Sequence, residues 1–195
     1  SLFDTAYEAG YLCAASHAAY ARRHGYRHHC AVGEPQELAA FCGGRAPQWG
    51  KLALLRRLLR EALEGPCRDG PCAAPWAPSS WKAADVEWLV WLDADAIVVD
   101  HNRRLEDFLA LAAPSCELLI GEDMSCASAV NTGVILVRVS AWCLQLLDRA
   151  WECHPRLHHG PFHEQTALCE ALQREVPERP PGSDWWWSWL GGPRR

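Results

Sequence analysis

Two aspartates that follow an apolar run carry the most chemical information in the sequence. Asp93 and Asp95 are spaced i, i+2 and come directly after residues 86–92, a run that predicts a central strand buried on both faces. Ligands of open α/β sheets bind at the carboxyl ends of strands. Two carboxylates at such a place need a counter-ion, and a divalent metal shared with a diphosphate would supply it. The alternative is a turn with solvated aspartates.

The elements around this pair alternate between helix and strand, which predicts an α/β fold. Periodicity and end signals predict helices at Glu8–His24, 51–64, 105–113, after Ser140, and at His163–Glu175. Apolar, β-rich segments predict strands at 26–32, 86–92, 117–121 and 134–139. Ser140 is expected to cap the helix that follows it.

We expect one domain that spans residues 1–195, since a chain of this length fits a single domain. Residues 65–80 are rich in Pro, Gly, Ser and Ala and predict a surface loop, and residues 176–195 predict an irregular tail. Residues 1–11 lack a β-patterned apolar run. The first strand is therefore expected to be missing or replaced, so that the domain is truncated.

Composition excludes several classes of protein. Hydrophobic residues make up 49% and charged residues 22%, with a net charge of −5, which favours a packed core and argues against general nucleic-acid binding. No segment reaches the roughly 18–20 uninterrupted apolar residues of a membrane-spanning helix. Contact with a membrane is expected only through a segment outside this chain.

Cysteines and histidines leave two alternatives each. The even number of cysteines, 10, permits disulfides in an oxidising compartment, and Cys67 and Cys72 could bridge the loop between them. Other cysteines fit as small buried apolar residues; these are Cys13, Cys116, Cys143 and Cys169. Four histidines occur in pairs with i, i+4 spacing, and they are His154, His158, His159 and His163. Proline and glycine interrupt any helix there, which favours a solvated or acceptor-facing loop over a zinc site.

Several motifs in chain order carry a resemblance to a known family. Trp91-Leu-Asp93-Ala-Asp95-Ala resembles the D-x-D segment of GT-A glycosyltransferases, and of these it is most similar to the galactosyl-, mannosyl- and xylosyltransferases of glycosyltransferase family 34. Further segments resemble the family's motifs in the same order: the helix-to-strand turn at residues 20–26, Trp49-Gly-Lys51-Leu, Asn131-Thr132-Gly133, the helix after Ser140, and Phe162-His163-Glu164-Gln165. The resemblance covers about residues 20–172.

This resemblance implies a fold, an activity and a setting. The fold is expected to be GT-A, a Rossmann-like α/β fold with a mostly parallel sheet flanked by helices. The activity implied is metal-dependent transfer of a hexose or pentose from a nucleoside-diphosphate sugar to a glycan hydroxyl, with retention of anomeric configuration. The family also implies Mn²⁺ and the Golgi lumen, behind a membrane anchor. The rival hypotheses are a non-catalytic sugar- or nucleotide-binding relative and a structural interaction domain that keeps the fold.

Roles for the donor-binding residues follow from the same resemblance. Asp95 is expected to ligate the metal directly, while Asp93 contacts the ribose or donor sugar or reaches the metal through water. Lys51 begins a helix, where its ammonium and the helix dipole both favour phosphate, unless it is a solvated lysine. Asn131 and Thr132 are expected to bond sugar hydroxyls, and Gly133 to let the backbone approach the sugar. The alternative for these last three is a plain turn.

Glu164 and Gln165 are the expected catalytic residues, facing the anomeric carbon and the acceptor. Either a polar group stabilises an oxocarbenium-like state or a carboxylate acts as nucleophile, and both options stay open. Charge compensation at a helix N-terminus is the alternative for Glu164. The sequence departs from the family at one point: the family uses a late histidine as a metal ligand, and no histidine follows His163.

Overall fold

The computed structural model describes residues 1–65, 85–124, 128–158 and 162–175. Its helices are α1 (Glu8–His24), α2 (Pro35–Phe41), α3 (Gly50–Glu64), α4 (Leu105–Leu109), α5 (Ala141–Trp151) and α6 (His163–Glu175). Its strands are β1 (Leu2–Asp4), β2 (Ala31–Gly33), β3 (Trp88–Leu92), β4 (Leu118–Glu122) and β5 (Val130–Arg138). Most of the expected 65–80 loop, the 176–195 tail, and the Cys67 and Cys72 pair lie outside the described residues.

The strands pair in two groups. β1 and β2 are parallel, whereas β5 lies between β3 and β4 and is antiparallel to both. The predicted alternation of helices and strands is confirmed, but among the described strands the expected parallel pairing is limited to β1 and β2. A short connection joins β4 to β5, and such connections produce antiparallel neighbours, because parallel strands need a long crossover.

The first strand is present, so the prediction that residues 1–11 contain none is wrong. Leu2 pairs with Ala31 and Phe3 with Val32, and the side chains of Leu2 and Phe3 are buried. Three residues are too few to show a period of two in the sequence. Pairing with β2 defines this strand, and pairing is a tertiary contact that local pattern does not encode.

Strand β3 is buried on one face, not on both as its apolar sequence predicted. Leu89 and Trp91 point into the core, whereas Trp88, Val90 and Leu92 are half-buried. The half-buried residues line a cavity of about 680 Å³. Within the described part of the chain, no strand pairs with the second edge of β3.

Helices α3, α5 and α6 pack together over the inner face of the β3–β5–β4 sheet. The residues at the centre of this core are almost fully buried: Trp49, Leu52, Leu55, Leu59, Ile135, Leu146, Leu147 and Leu168. Leu63 belongs to the same predicted stripe of α3 but is 42% exposed, so the packed stripe ends one turn earlier. Ser140 caps α5 as expected, since its Oγ accepts from Cys143 N at 3.1 Å.

The sequence predicted the bounds of some helices and strands better than those of others. Helices α1 and α6 have the expected bounds, α4 and β2 are shorter, and α2 was not expected. The α2 start has a clear cause: Glu34 accepts from the backbone of residue 37 while Glu37 accepts from Glu34 N at 2.9 Å. Of the helices in the described ranges, none is both long and apolar enough to cross a membrane.

Candidate active site

A buried lysine lies at the centre of the candidate site. Lys51, in the first turn of α3, is 5% exposed. Its Nζ lies 2.8 Å from Asp93 Oδ1 and 3.0 Å from Glu164 Oε1, and it donates to both the carbonyl and the hydroxyl of Thr132 at 3.1 Å. One ammonium thus compensates two carboxylates and ties α3 to β5, α6 and the end of β3.

The start of α6 is fixed to β5 through Thr132. Thr132 N donates to Gln165 Oε1 at 2.9 Å, and Thr132 Oγ1 donates to Glu164 Oε1 at 2.9 Å. Gln165 Nε2 donates to Asp123 Oδ2 at 3.1 Å. These four side chains are all buried. The amide of Gln165 therefore has one orientation, with its oxygen toward β5 and its nitrogen toward Asp123.

The chain enters α6 through an unusual backbone conformation. Phe162 and His163 have positive φ values of 60° and 42°, a region in which residues other than glycine are uncommon. Gln165 N donates to the Phe162 carbonyl at 2.8 Å. This tight turn directs the side chains of Glu164 and Gln165 inward from the first turn of the helix.

The two aspartates after β3 have different environments. Asp93 N donates to the Gly133 carbonyl at 2.8 Å, and Trp91 Nε1 donates to Asp93 Oδ1 at 2.6 Å. Together with Lys51, these contacts fix the half-buried Asp93 side chain. Asp95 is exposed, and its carboxylate makes no hydrogen bond or ion pair with the described residues.

A side chain at Gly133 would crowd the side chain of Asn131. A Cβ added there would lie 2.9 Å from Asn131 Oδ1 and 3.5 Å from Asp93 Oδ2. Asn131 itself is exposed, and its Oδ1 accepts from Gly133 N at 2.9 Å. The Asn-Thr-Gly segment therefore forms a compact wall beside Asp93, with Thr132 directed inward and Asn131 outward.

A cleft of about 510 Å³ opens in front of these residues. Leu2, Phe3 and Asp4 of β1 form one side, and Asp93 and Asp95 form the other. The volume is within the range typical of small-molecule sites. The larger cavity beside β3 contains none of the predicted site residues, so the chemistry of the side chains favours the smaller one.

The cleft offers oxygen ligands for a divalent cation, but few of them. Asp95 has a free carboxylate, whereas both oxygens of Asp93 already contact Lys51. Across the described ranges, no group of three or more His, Cys, Asp or Glu side chains could hold a metal. A cation in this cleft would therefore take Asp95 from the described residues and its other ligands from a diphosphate and water. Of the four histidines with i, i+4 spacing, His154 caps a short 3₁₀ helix, where its Nδ1 accepts from Arg156 N at 3.2 Å.

The structure brings most of the predicted site residues together. Five form the buried network, and they are Lys51, Asp93, Thr132, Glu164 and Gln165. Asn131, Gly133 and Asp95 lie at its surface. The sequence analysis missed Asp123, although it comes directly after β4 and so occupies the kind of strand end that had drawn attention to Asp93.

Comparison with solved structures identifies the fold. A glycosyltransferase involved in glycosylating the major capsid of PBCV-1 matches with a TM-score of 0.57 and 18% identity, over 91% of this chain and 78% of that one. The architecture is therefore that of a glycosyltransferase, and the predicted GT-A class is confirmed.

Comparison of sequences points the same way. Xyloglucan 6-xylosyltransferase 1 of Arabidopsis thaliana is 30% identical over 137 residues, which are 68% of this chain and 24% of the relative. The probable xyloglucan 6-xylosyltransferase 3 of the same plant is 30% identical over 126 residues, or 62% of this chain and 22% of the relative. The predicted resemblance to family 34 is confirmed. The chain spans about a quarter of the length of these relatives, and no protein-family model matches it.

Proposed function

We propose that this chain holds the donor site of a metal-dependent, retaining glycosyltransferase. It would transfer a hexose or pentose from a nucleoside-diphosphate sugar to a glycan hydroxyl. The observation that carries the proposal is the position of Asp93 and Asp95, at the carboxyl end of β3 and on the rim of a cleft of about 510 Å³. The glycosyltransferase fold and the two xylosyltransferase relatives support it.

The cleft suggests how a donor would lie. The diphosphate would approach Asp95, which would hold the divalent metal, proposed to be Mn²⁺; when bound, the metal would supply Lewis-acid stabilisation of the leaving nucleoside diphosphate. The nucleoside would then extend along β1, where Tyr7 is 40% exposed on the cleft wall. Asp93, held rigidly by Lys51 and Trp91, would accept from a hydroxyl of the ribose or the donor sugar.

Glu164 and Gln165 are proposed to act at the anomeric carbon. Lys51 and Thr132 both contact Glu164 Oε1, which leaves Oε2 for a developing positive charge on the sugar. Gln165 already uses its oxygen on Thr132 and its nitrogen on Asp123, so its contribution is to fix the start of α6. Lys51 would act by holding the two carboxylates, and Asn131, Thr132 and Gly133 by shaping the wall against the sugar.

A second candidate is a non-catalytic nucleotide-sugar-binding protein. Glu164 is 3% exposed and Gln165 is 7% exposed, so both are covered in this conformation. The setting proposed for either function is the Golgi lumen, with any membrane anchor in a segment outside this chain.

Calorimetry with UDP and GDP, each with and without Mn²⁺, tests the donor site. We expect binding that depends on Mn²⁺, and we expect Asp95→Asn to weaken it at least tenfold because one charged ligand is lost while the volume is kept. Asp100→Asn is the matched control: Asp100 is also exposed on the same loop but does not line the cleft. Equal affinities in Asp95→Asn and the parent would refute the metal site.

Turnover on a panel of UDP- and GDP-sugars separates the two candidates. A transferase is expected to hydrolyse or transfer from at least one donor, and Glu164→Gln should lower kcat far more than it weakens donor binding, since its work lies in the transition state. Donor binding without turnover on any member of the panel would favour the binding protein.

A further inference from the structure

The loop that carries Asp95 is long and has little structure of its own. Between the end of β3 and the start of α4, residues 93–104 contain no helix or strand. Its internal bonds include Ala96 N to the Asp93 carbonyl at 3.1 Å and Asn102 N to Asp100 Oδ1 at 2.9 Å. Such local turns do not fix a loop in space, so its position must come from elsewhere in the fold.

One face of α1 supplies that support. Side chains at helical spacing contact the loop backbone one after another. Val98 N donates to Ser16 Oγ at 3.4 Å, Tyr20 OH donates to the Arg103 carbonyl at 2.6 Å, and His24 Nε2 lies 2.9 Å from the His101 carbonyl. These contacts extend over two turns of the helix and over most of the loop.

His17 makes the contact nearest to the aspartates. Its Nε2 lies 2.8 Å from the Ala96 carbonyl, and because a carbonyl only accepts, Nε2 must carry the proton. The His17 side chain is 2% exposed. Ala96 directly follows Asp95. On the N-terminal side of Asp95, Asp93 N donates to the Gly133 carbonyl at 2.8 Å and holds the chain there.

We propose that His17 is a positioning residue for Asp95. Its hydrogen bond to the Ala96 carbonyl fixes the backbone that directly follows Asp95. This inference rests on the proposed function for its consequence in metal-dependent binding. The carboxylate of Asp95 lacks any ion pair or hydrogen bond to the described residues that could orient it. Its place in the cleft is therefore set by the backbone on either side, and His17 holds one of those two sides.

Substitutions at His17 test this role with two readouts. His17→Phe keeps the ring but removes the donor, whereas His17→Gln places an amide N–H close to the position of Nε2. We expect His17→Phe to raise hydrogen exchange at amides 94–98 at least tenfold and to weaken Mn²⁺-dependent binding of UDP or GDP at least tenfold. His17→Gln should stay within threefold of the parent in both. Should His17→Phe fail to fold, His17→Asn, which is too short to reach Ala96, replaces it.

Tyr20→Phe is the matched control on the same helix face. It removes the bond to the Arg103 carbonyl, far along the loop from Asp95, and should raise exchange at amides 102–105 while leaving Mn²⁺-dependent binding within twofold. Unchanged exchange at 94–98 in folded His17→Phe would overturn the proposal. If the parent binds neither nucleotide, the donor site itself fails, and the exchange data still decide whether His17 holds the turn.

Discussion

Lys51 is buried and places one positive charge between the buried carboxylate of Glu164 and the half-buried carboxylate of Asp93. Removing one member of a buried ion pair leaves the other charge uncompensated, which costs more than an exposed pair contributes. Its partners Asp93 and Glu164 come from the end of β3 and the start of α6. The same side chain therefore stabilises the fold and sets the geometry of the proposed donor site.

Replacing this ammonium is expected to be costly. Lys51→Met should lower the free energy of unfolding by about 3–5 kcal/mol, measured by denaturant titration. The double variant Lys51→Met with Glu164→Gln should recover part of that loss, because one of the two uncompensated charges is removed. Arg156→Met, which breaks an exposed pair with Glu170 at 3.5 Å, should cost less than about 1 kcal/mol. A similar cost for both single variants would contradict the buried network.

Gly133 is expected to be needed for binding more than for stability. In Gly133→Ala the new Cβ would meet Asn131 Oδ1 at 2.9 Å, the end of an exposed side chain that can rotate away. We therefore expect a loss of stability below about 1.5 kcal/mol but at least tenfold weaker nucleotide binding, because the wall beside Asp93 is displaced. Gly121→Ala in β4 has open space around its Cβ and should bind as the parent does.

The sequence predicted site residues that belong to a recognisable motif, but it did not predict contacts between site residues that are distant in the chain. Asp93, Asp95 and Thr132 follow from local pattern and resemblance. Lys51 and Glu164 are in contact although 113 positions separate them in the sequence. No local sequence pattern predicts such a contact. Asp123 directly follows Glu122, the last residue of β4. A single carboxylate after a strand is too common a feature to predict a site residue.

At the scale of elements, long periodic segments were predicted well. Helices α1 and α6 have the predicted bounds, and α5 has its predicted cap. The three-residue strands β1 and β2 were missed or misplaced, because their pairing partner, not their sequence, defines them. The one-sided burial of β3 was missed because Trp88 and Val90 suit both a closed core and the wall of a cavity.

The junction of α1 with the acidic loop predicts a dependence of stability on pH. Burial lowers the pKa of His17 below its ordinary value of 6.5, so the unfolded chain binds a proton more readily than the folded one. Stability should therefore fall as the pH drops below about 6.5, with His17 contributing at most about 1.4 kcal/mol per pH unit. Denaturant titrations at pH 7.5, 6.5 and 5.5 measure this slope.

His17→Gln should reduce that slope, since the amide keeps the hydrogen bond but does not titrate in this range. His28 faces His17, with ring centroids 6.4 Å apart, and burial lowers its pKa to about 4, so part of the slope should persist. An identical slope in His17→Gln and the parent would show that His17 does not contribute.

The whole molecule brings the ends of several elements to one cleft. The starts of α3 and α6, the end of β3 and the start of β5 meet at Lys51, while β1 forms the opposite wall. A ligand that binds across this cleft contacts β1, the start of α3 and the loop after β3. Its binding energy should therefore oppose global unfolding as well as local opening.

Ligand binding should raise the melting temperature. At a concentration one hundred times the Kd, a nucleoside diphosphate with Mn²⁺ should add about 2.7 kcal/mol to stability, or about 5–10 °C in Tm for a chain of this size. Calorimetric melting with UDP or GDP, with and without Mn²⁺, measures the shift. An equal shift in Asp95→Asn, or one without Mn²⁺, would contradict a metal-bridged site.

Two residues of the cleft wall lie outside the buried network, and this has a consequence for engineering. Tyr7 and Gln48 line the cleft, but among the described residues no side-chain hydrogen bond or ion pair joins either of them to Lys51, Thr132 or Glu164. A library that varies Tyr7 and Gln48 together should therefore yield mostly folded variants. Selection for nucleotide preference can then act on these two positions, while Lys51, Asp93 and Glu164 are kept unchanged.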